Sequence, residues 1–101
     1  MKGSVLFGEI NRSALLVGPA LVSRWLPEGR REGTEWVARN PRRQDRTIGS
    51  FKVNLHTGRW ADFATGDKGG DPISLAAYLA DCTQSNAARQ LAVMLGLAAD
   101  V

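Results

Sequence analysis

The stretch SFKVNLHTGRWADFA, Ser50 to Ala64, decides the fold. Its first half alternates, with Phe51, Val53 and Leu55 on one parity and Ser50, Lys52 and Asn54 on the other. A period of two puts the apolar set on one face, as in a half-buried strand. His56-Thr57-Gly58 follows as a three-residue loop, with glycine where a positive φ is needed. Arg59 to Ala64 reads as the return strand of an antiparallel hairpin. Trp60 and Phe63 stand an odd number of positions apart, so they point to opposite faces of that strand. One of the two rings is therefore exposed unless helices cover both sides.

Upstream, Glu9 to Leu26 is rich in Leu, Val and Ala and reads as helical, interrupted at Gly18-Pro19. Proline removes a backbone donor, so the stretch is either two short helices or one kinked helix. Pro27-Glu28-Gly29 stops it, Arg30 to Thr34 reads as a charged connector, and Glu35 to Ala38 as a short strand. Asn40 to Gly49 is polar, basic and irregular, which predicts a loop. Downstream, Gly66 to Gly70 is a glycine-rich turn. Asp71 and Pro72 suit the cap and first position of a helix running to about Asp81. Thr83 caps a last helix that presents Ala87, Ala88, Leu91, Ala92 and Leu95 and ends at Gly96. The expected class is α+β: a small antiparallel hairpin or ribbon sheet flanked by an N-terminal helical segment and two C-terminal helices. Residues 1–35 form the helical segment and connector and residues 36–101 the ribbon-like part of one compact domain, as 101 residues allow.

The net charge of +3 is a mild bias, but its distribution is uneven. Arg39, Arg42, Arg43, Arg46, Lys52 and Arg59 face the single acid Asp45 between residues 39 and 59, six bases against one acid. Guanidinium groups pair with phosphate as a bidentate fork, and their binding releases counterions. A solvated basic loop explains the same cluster without a ligand. These six residues, with Lys68 and with Trp60 as a stacking ring, are the candidate nucleic-acid contacts. Basic side chains beside an exposed aromatic make a platform for unpaired bases, so single-stranded DNA is expected ahead of duplex. The competing reading puts Phe51, Trp60 and Phe63 all in the core.

Asn40-Pro41-Arg42-Arg43, followed by GSFKVNLHTGRWADFATGDKGGDPISLAAYL from Gly49 to Leu79, resembles the zinc-ribbon domain of bacterial and phage DNA primases. That family carries Cys-Pro-x-His, a Ser-Phe-x-Val strand, an aromatic strand ending in Cys-x-x-Cys-Gly, a glycine-rich turn and an amphipathic helix. The likeness covers roughly Trp36 to Leu97. It extends to N-terminal regions of primase-helicase-like proteins of phages and other mobile elements, which carry catalysis in a separate domain. By resemblance, the chain is an accessory module of DNA replication that engages template DNA beside a primase or helicase catalytic domain. The four ligand positions hold Asn40, Arg43, Asp62 and Thr65 instead. Structural zinc takes thiolate and imidazole donors, and arginine offers only N–H groups. The expectation is a metal-free ribbon without cofactor, with hydrogen bonds or an ion pair of Asn40, Asp62 and Thr65 where the metal sits in the family, an Asp62–Arg43 pair being the most specific form.

Other chemistry has little support. His56 is the only histidine and Cys82 the only cysteine, so neither a disulfide nor a cysteine cluster can be assembled, and a lone histidine with no nucleophile-elbow context around any serine leaves little scope for a catalytic triad. Gly69-Gly70-Asp71 ahead of a helix lacks the Gly-Lys-Ser/Thr of a phosphate loop, and Asp71 would repel an anion. The chain is expected not to be an enzyme. Met1 to Phe7 lacks the pattern of a secretory leader and no apolar run reaches membrane-spanning length, which points to the cytoplasm. A rival reading from another class is a protein-interaction adaptor that has lost metal and DNA binding, docking through residues 13–26. Elemental analysis of protein purified without chelator should find only trace zinc, and chelator should leave the melting temperature unchanged; one zinc per chain would contradict the reading of the four positions.

Overall fold

The Gly18-Pro19 break divides the N-terminal stretch into α1 (Lys2–Leu16) and α2 (Gly18–Trp25) in the computed structural model, which describes residues 2–42 and 49–97. Pro19 sits in the first turn of α2, where a missing N–H costs nothing. Leu21 and Val22 turn inward from α2, and Trp36 Nε1 donates to Leu26 O at 2.9 Å just beyond its end.

Five strands follow: β1 (Arg30–Glu32), β2 (Glu35–Ala38), β3 (Phe51–Asn54), β4 (Trp60–Asp62) and β5 (Lys68–Gly69). They form one antiparallel sheet in chain order, each strand paired with the next. The hairpin read from the alternation is β3 and β4, with Val53 opposite Trp60 and Phe51 opposite Asp62. Gly58 has φ 79°, and a Cβ there would lie 2.6 Å from Pro72 Cδ, so the turn needs glycine twice over.

Two segments expected as connections are strands. Arg30 to Glu32 is an edge strand with all three residues exposed, which carries no apolar alternation because neither of its faces is covered. Lys68-Gly69 is the opposite edge. Gly69 lies opposite Trp60, and any side chain at that position would run into the indole and Ser74 Oγ.

Asp71 caps α3 (Pro72–Ala80) in a reciprocal box with Ser74, and Thr83 caps α4 (Gln84–Met94) by accepting from Asn86 N. From α1, Asn11 Oδ1 accepts the Ile73 N–H at 2.9 Å, satisfying another first-turn donor of α3. The chain is thus α+β, with its helices on one face of an open sheet. Val22, Leu26, Ala38, Phe51, Val53, Leu55, Trp60 and Leu75 fill the space between the sheet and α2 and α3. Behind α3, residues including Ile10, Ala14, Ile73, Ala77, Ala88 and Leu91 join it to α1 and α4. The N-terminal helices therefore share one core with the ribbon-like part.

Phe51 is fully buried, its ring centroid 5.7 Å from that of Trp60 and 6.1 Å from that of Tyr78. Truncating it to alanine should cost about 3–5 kcal/mol, a large share of the stability of so small a domain. Chemical denaturation of Phe51→Ala checks this, and an unchanged midpoint would contradict the packing.

Candidate nucleic-acid interface

Antiparallel partners share a face, so the register generates rows across the sheet. One row on the side away from the helices runs Arg30, Val37, Lys52, Ala61, Lys68. Lys52 and Lys68 thus flank Ala61 from the adjacent strands on either side, about 10 Å apart along the hydrogen-bonding direction. Arg59 shares the parity of Ala61. It is seated by the hairpin turn, in which Asn54 Oδ1 accepts from His56 N and Thr57 N, and Asn54 N donates to Arg59 O at 2.7 Å. Phe63, also of this parity, is 70% exposed, and Lys52 Nζ lies 5.8 Å from its ring centroid. These groups border a shallow depression of about 710 Å³, with Glu35 the one acid among the lining residues. Lys52, Arg59 and Lys68 form no ion pair with any described residue. Three cations around an exposed ring present charge for phosphates and a face for a base.

The other expected contacts are placed differently. Arg39 pairs with Glu28 at 3.5 Å. Arg42 leaves the sheet face altogether: it pairs with Asp81 at 3.1 Å and its guanidinium carbon stands 4.7 Å from the Tyr78 ring centroid. Arg43 and Arg46 lie outside the described residues, as does the expected Asp62–Arg43 pair. Trp60 is a correction. Its ring is on the core face and 5% exposed, with Nε1 donating to Ser74 Oγ at 3.0 Å, so it offers no surface for stacking. The open ring is Phe63, which the odd spacing of the two aromatics put on the opposite face without saying which face was covered.

On the helix side, the ends of β2 and β4 meet. Asn40 and Asp62 are both buried and joined by Asn40 Nδ2–Asp62 Oδ2 at 2.8 Å. The same Nδ2 donates to Tyr78 Oη at 2.7 Å, and Tyr78 Oη donates to Asp67 Oδ2 at 2.8 Å. Asp62 Oδ1 accepts from Ala64 N, and Asn40 Oδ1 from Arg42 N. Thr65 is exposed and its hydroxyl accepts from Asp67 N at 3.3 Å. No three metal-binding side chains cluster among the described residues. Here polar side chains tie the residue that follows β2 to the end of β4, to α3 and to the turn before β5. Tyr78 and Asp67 were not legible as part of this cluster, since nothing local to either residue announces a partner across the fold.

Asp71 is occupied in capping α3, which leaves the Gly69-Gly70 turn as connection geometry. No helix among the described residues is long and apolar enough to cross a membrane. No protein-family model matches the chain, and no curated protein matches it.

Burial pushes the Tyr78 phenol above its ordinary value; the hydrogen bond from Asn40 opposes this, while Asp67 adds to the rise through its hydrogen bond and its charge, and the Arg42 charge lowers it. The folded state therefore holds this proton more tightly than the unfolded chain. The contribution is fully present below about pH 10 and lost as pH rises through the folded value. Melting temperature measured from neutral to strongly alkaline pH should fall more steeply for the wild type than for Tyr78→Phe. Parallel curves would remove Tyr78 as a titrating part of the network.

Proposed function

We propose that this chain is a DNA-binding accessory module of a primase or primase-helicase system, engaging single-stranded template across the open face of its sheet. The observation that carries the reading is the convergence of Lys52, Arg59 and Lys68, without ion partners among the described residues, around the exposed ring of Phe63. Phosphates of an unpaired strand contact the three cations and one base stacks on Phe63. Duplex DNA offers no free base face for that ring, which is the physical reason for preferring a single strand. The role is one of binding and placing template, with the chemistry of primer synthesis or unwinding supplied by a catalytic domain.

The primase assignment is supported by the resemblance of Trp36 to Leu97. It is also supported by the meeting of Asn40 and Asp62 where that family holds its metal. The adaptor reading calls for an open apolar face on residues 13–26. There, Leu16 and Val17 are exposed, but Ala14, Leu21, Val22 and Leu26 are buried, so most of the apolar surface is already used internally. The DNA reading is favoured for that reason.

Fluorescence anisotropy against single-stranded and duplex oligonucleotides at two salt concentrations tests the proposal. Three phosphate contacts on a single strand give a log–log salt slope of about −2, so binding should be weak and strongly salt-dependent. Replacing Lys52, Arg59 and Lys68 together by alanine should flatten that slope. Phe63→Ala should lose roughly 1–3 kcal/mol for single strands with little change in melting temperature. Wild-type protein that binds no oligonucleotide at low salt would sink the proposal.

A further inference from the structure

We infer that Tyr78 and Asp67 are positioning residues for the open face: from the opposite side of the sheet they fix the turn that carries Phe63 and Lys68. The inference rests on the DNA-binding reading for its functional meaning, and on geometry for its mechanism. The β4–β5 turn runs from Phe63 to Asp67, so one proposed contact begins it and the other directly follows it. Its backbone is closed by Asp62 N donating to Asp67 O at 2.7 Å and Gly66 N donating to Asp62 O at 2.8 Å. Gly66 has φ 86°, the left-handed region that turns such a loop back on itself.

These bonds, with Asp62 Oδ1 accepting from Ala64 N and Thr65 Oγ1 from Asp67 N, all lie within a short loop that leads into an edge strand of two residues, an inherently frayed place. The side chain of Asp67 anchors it to the body of the protein. Tyr78 Oη donates to Asp67 Oδ2 and accepts from Asn40 Nδ2, whose other contact is Asp62 Oδ2. Both ends of the turn, Asp62 and Asp67, are thus tied to one phenol–amide unit. Tyr78 is itself held by packing, its ring centroid 4.5 Å from that of Trp60 and its face covered by Arg42. Asp62 ends β4 and Asp67 leads into β5, so holding both side chains toward Tyr78 fixes the backbone from which Phe63 and Lys68, the next residue in each case, project to the open face. An acid beside a phosphate-binding lysine is unfavourable unless it is directed elsewhere. Its bond to Tyr78 directs it to the other side of the sheet.

Asp67→Ala and Asp67→Asn separate this role from charge. Both remove the same negative charge next to Lys68, but only asparagine keeps an oxygen to accept from Tyr78. Asp67 is exposed, so neither change opens a cavity. Two readouts are taken: affinity for a fluorescent oligothymidine, and amide hydrogen exchange of residues 63–68 in the DNA-free protein. Asp67→Asn should bind at least as well as wild type and protect these amides as well. Asp67→Ala should bind roughly three- to tenfold more weakly than Asp67→Asn, as expected for one lost hydrogen bond, and its amides should exchange faster. Equal affinity and equal exchange in the two variants would overturn the inference. The exchange comparison needs no DNA, so failure of every protein to bind the oligonucleotide would count against the DNA reading alone.

Discussion

Asn40 and Asp62 meet at 2.8 Å in a place water does not reach, and the shape of the sheet depends on that bond. Asn40 follows β2 and Asp62 ends β4, the two strands that flank β3. The bond therefore closes over the start of the central strand and keeps its neighbours from splaying. A buried carboxylate without donors would be costly, and a charge-assisted bond from an amide, with a backbone N–H on the second oxygen, offsets that cost. Removing either partner deprives the other of one buried hydrogen bond, which costs more than the bond contributes net, so the pair acts chiefly by specifying the arrangement. A metal joining two turns confers the same specificity by coordination. Here no side chain has to be a thiolate.

The consequence runs through the sheet to its other face. Strand geometry couples the two sides: what is held inward on β4 and the following turn determines what is held outward. Asp62 and Asp67 inward mean Phe63 and Lys68 outward, beside Lys52 and Arg59. The helices cover one side so completely that Trp60 is core; on the other side Val37 of β2 is buried, and the open part is the depression over β3, β4 and β5. Arg42 belongs to the inner network, where it covers Tyr78, so closeness in the sequence to Lys52 and Arg59 did not place it on their face.

Much of the fold was legible because its signals are local. Phe51, Val53 and Leu55 reveal the strand by parity, Gly58 the turn by its missing Cβ, and Asp71-Pro72 and Thr83 the helix starts by capping chemistry. The edge strands were not legible. Arg30 to Glu32 is charged throughout and Lys68-Gly69 is half glycine, so both become strands only because a neighbour supplies hydrogen bonds. The site was half legible. Lys52, Arg59 and Lys68 were identifiable as basic residues on or beside the hairpin. The choice between Trp60 and Phe63 needed to know which face the helices cover. The Asn40–Asp62 and Asn40–Tyr78 contacts join residues 22 and 38 positions apart, and sequence spacing carries no information at that range.

We propose that the buried polar network on one side of the sheet shapes a nucleic-acid surface on the other. Titrating isotopically labelled protein with a short oligothymidine, and following backbone amide shifts by NMR, tests it most directly. The claim predicts that the largest shifts map to Lys52, Arg59, Ala61, Phe63 and Lys68, with smaller ones passing to Asp67 and Tyr78 behind them. Shifts concentrated on α4 and the groove beside Trp25, with the sheet face silent, would contradict it.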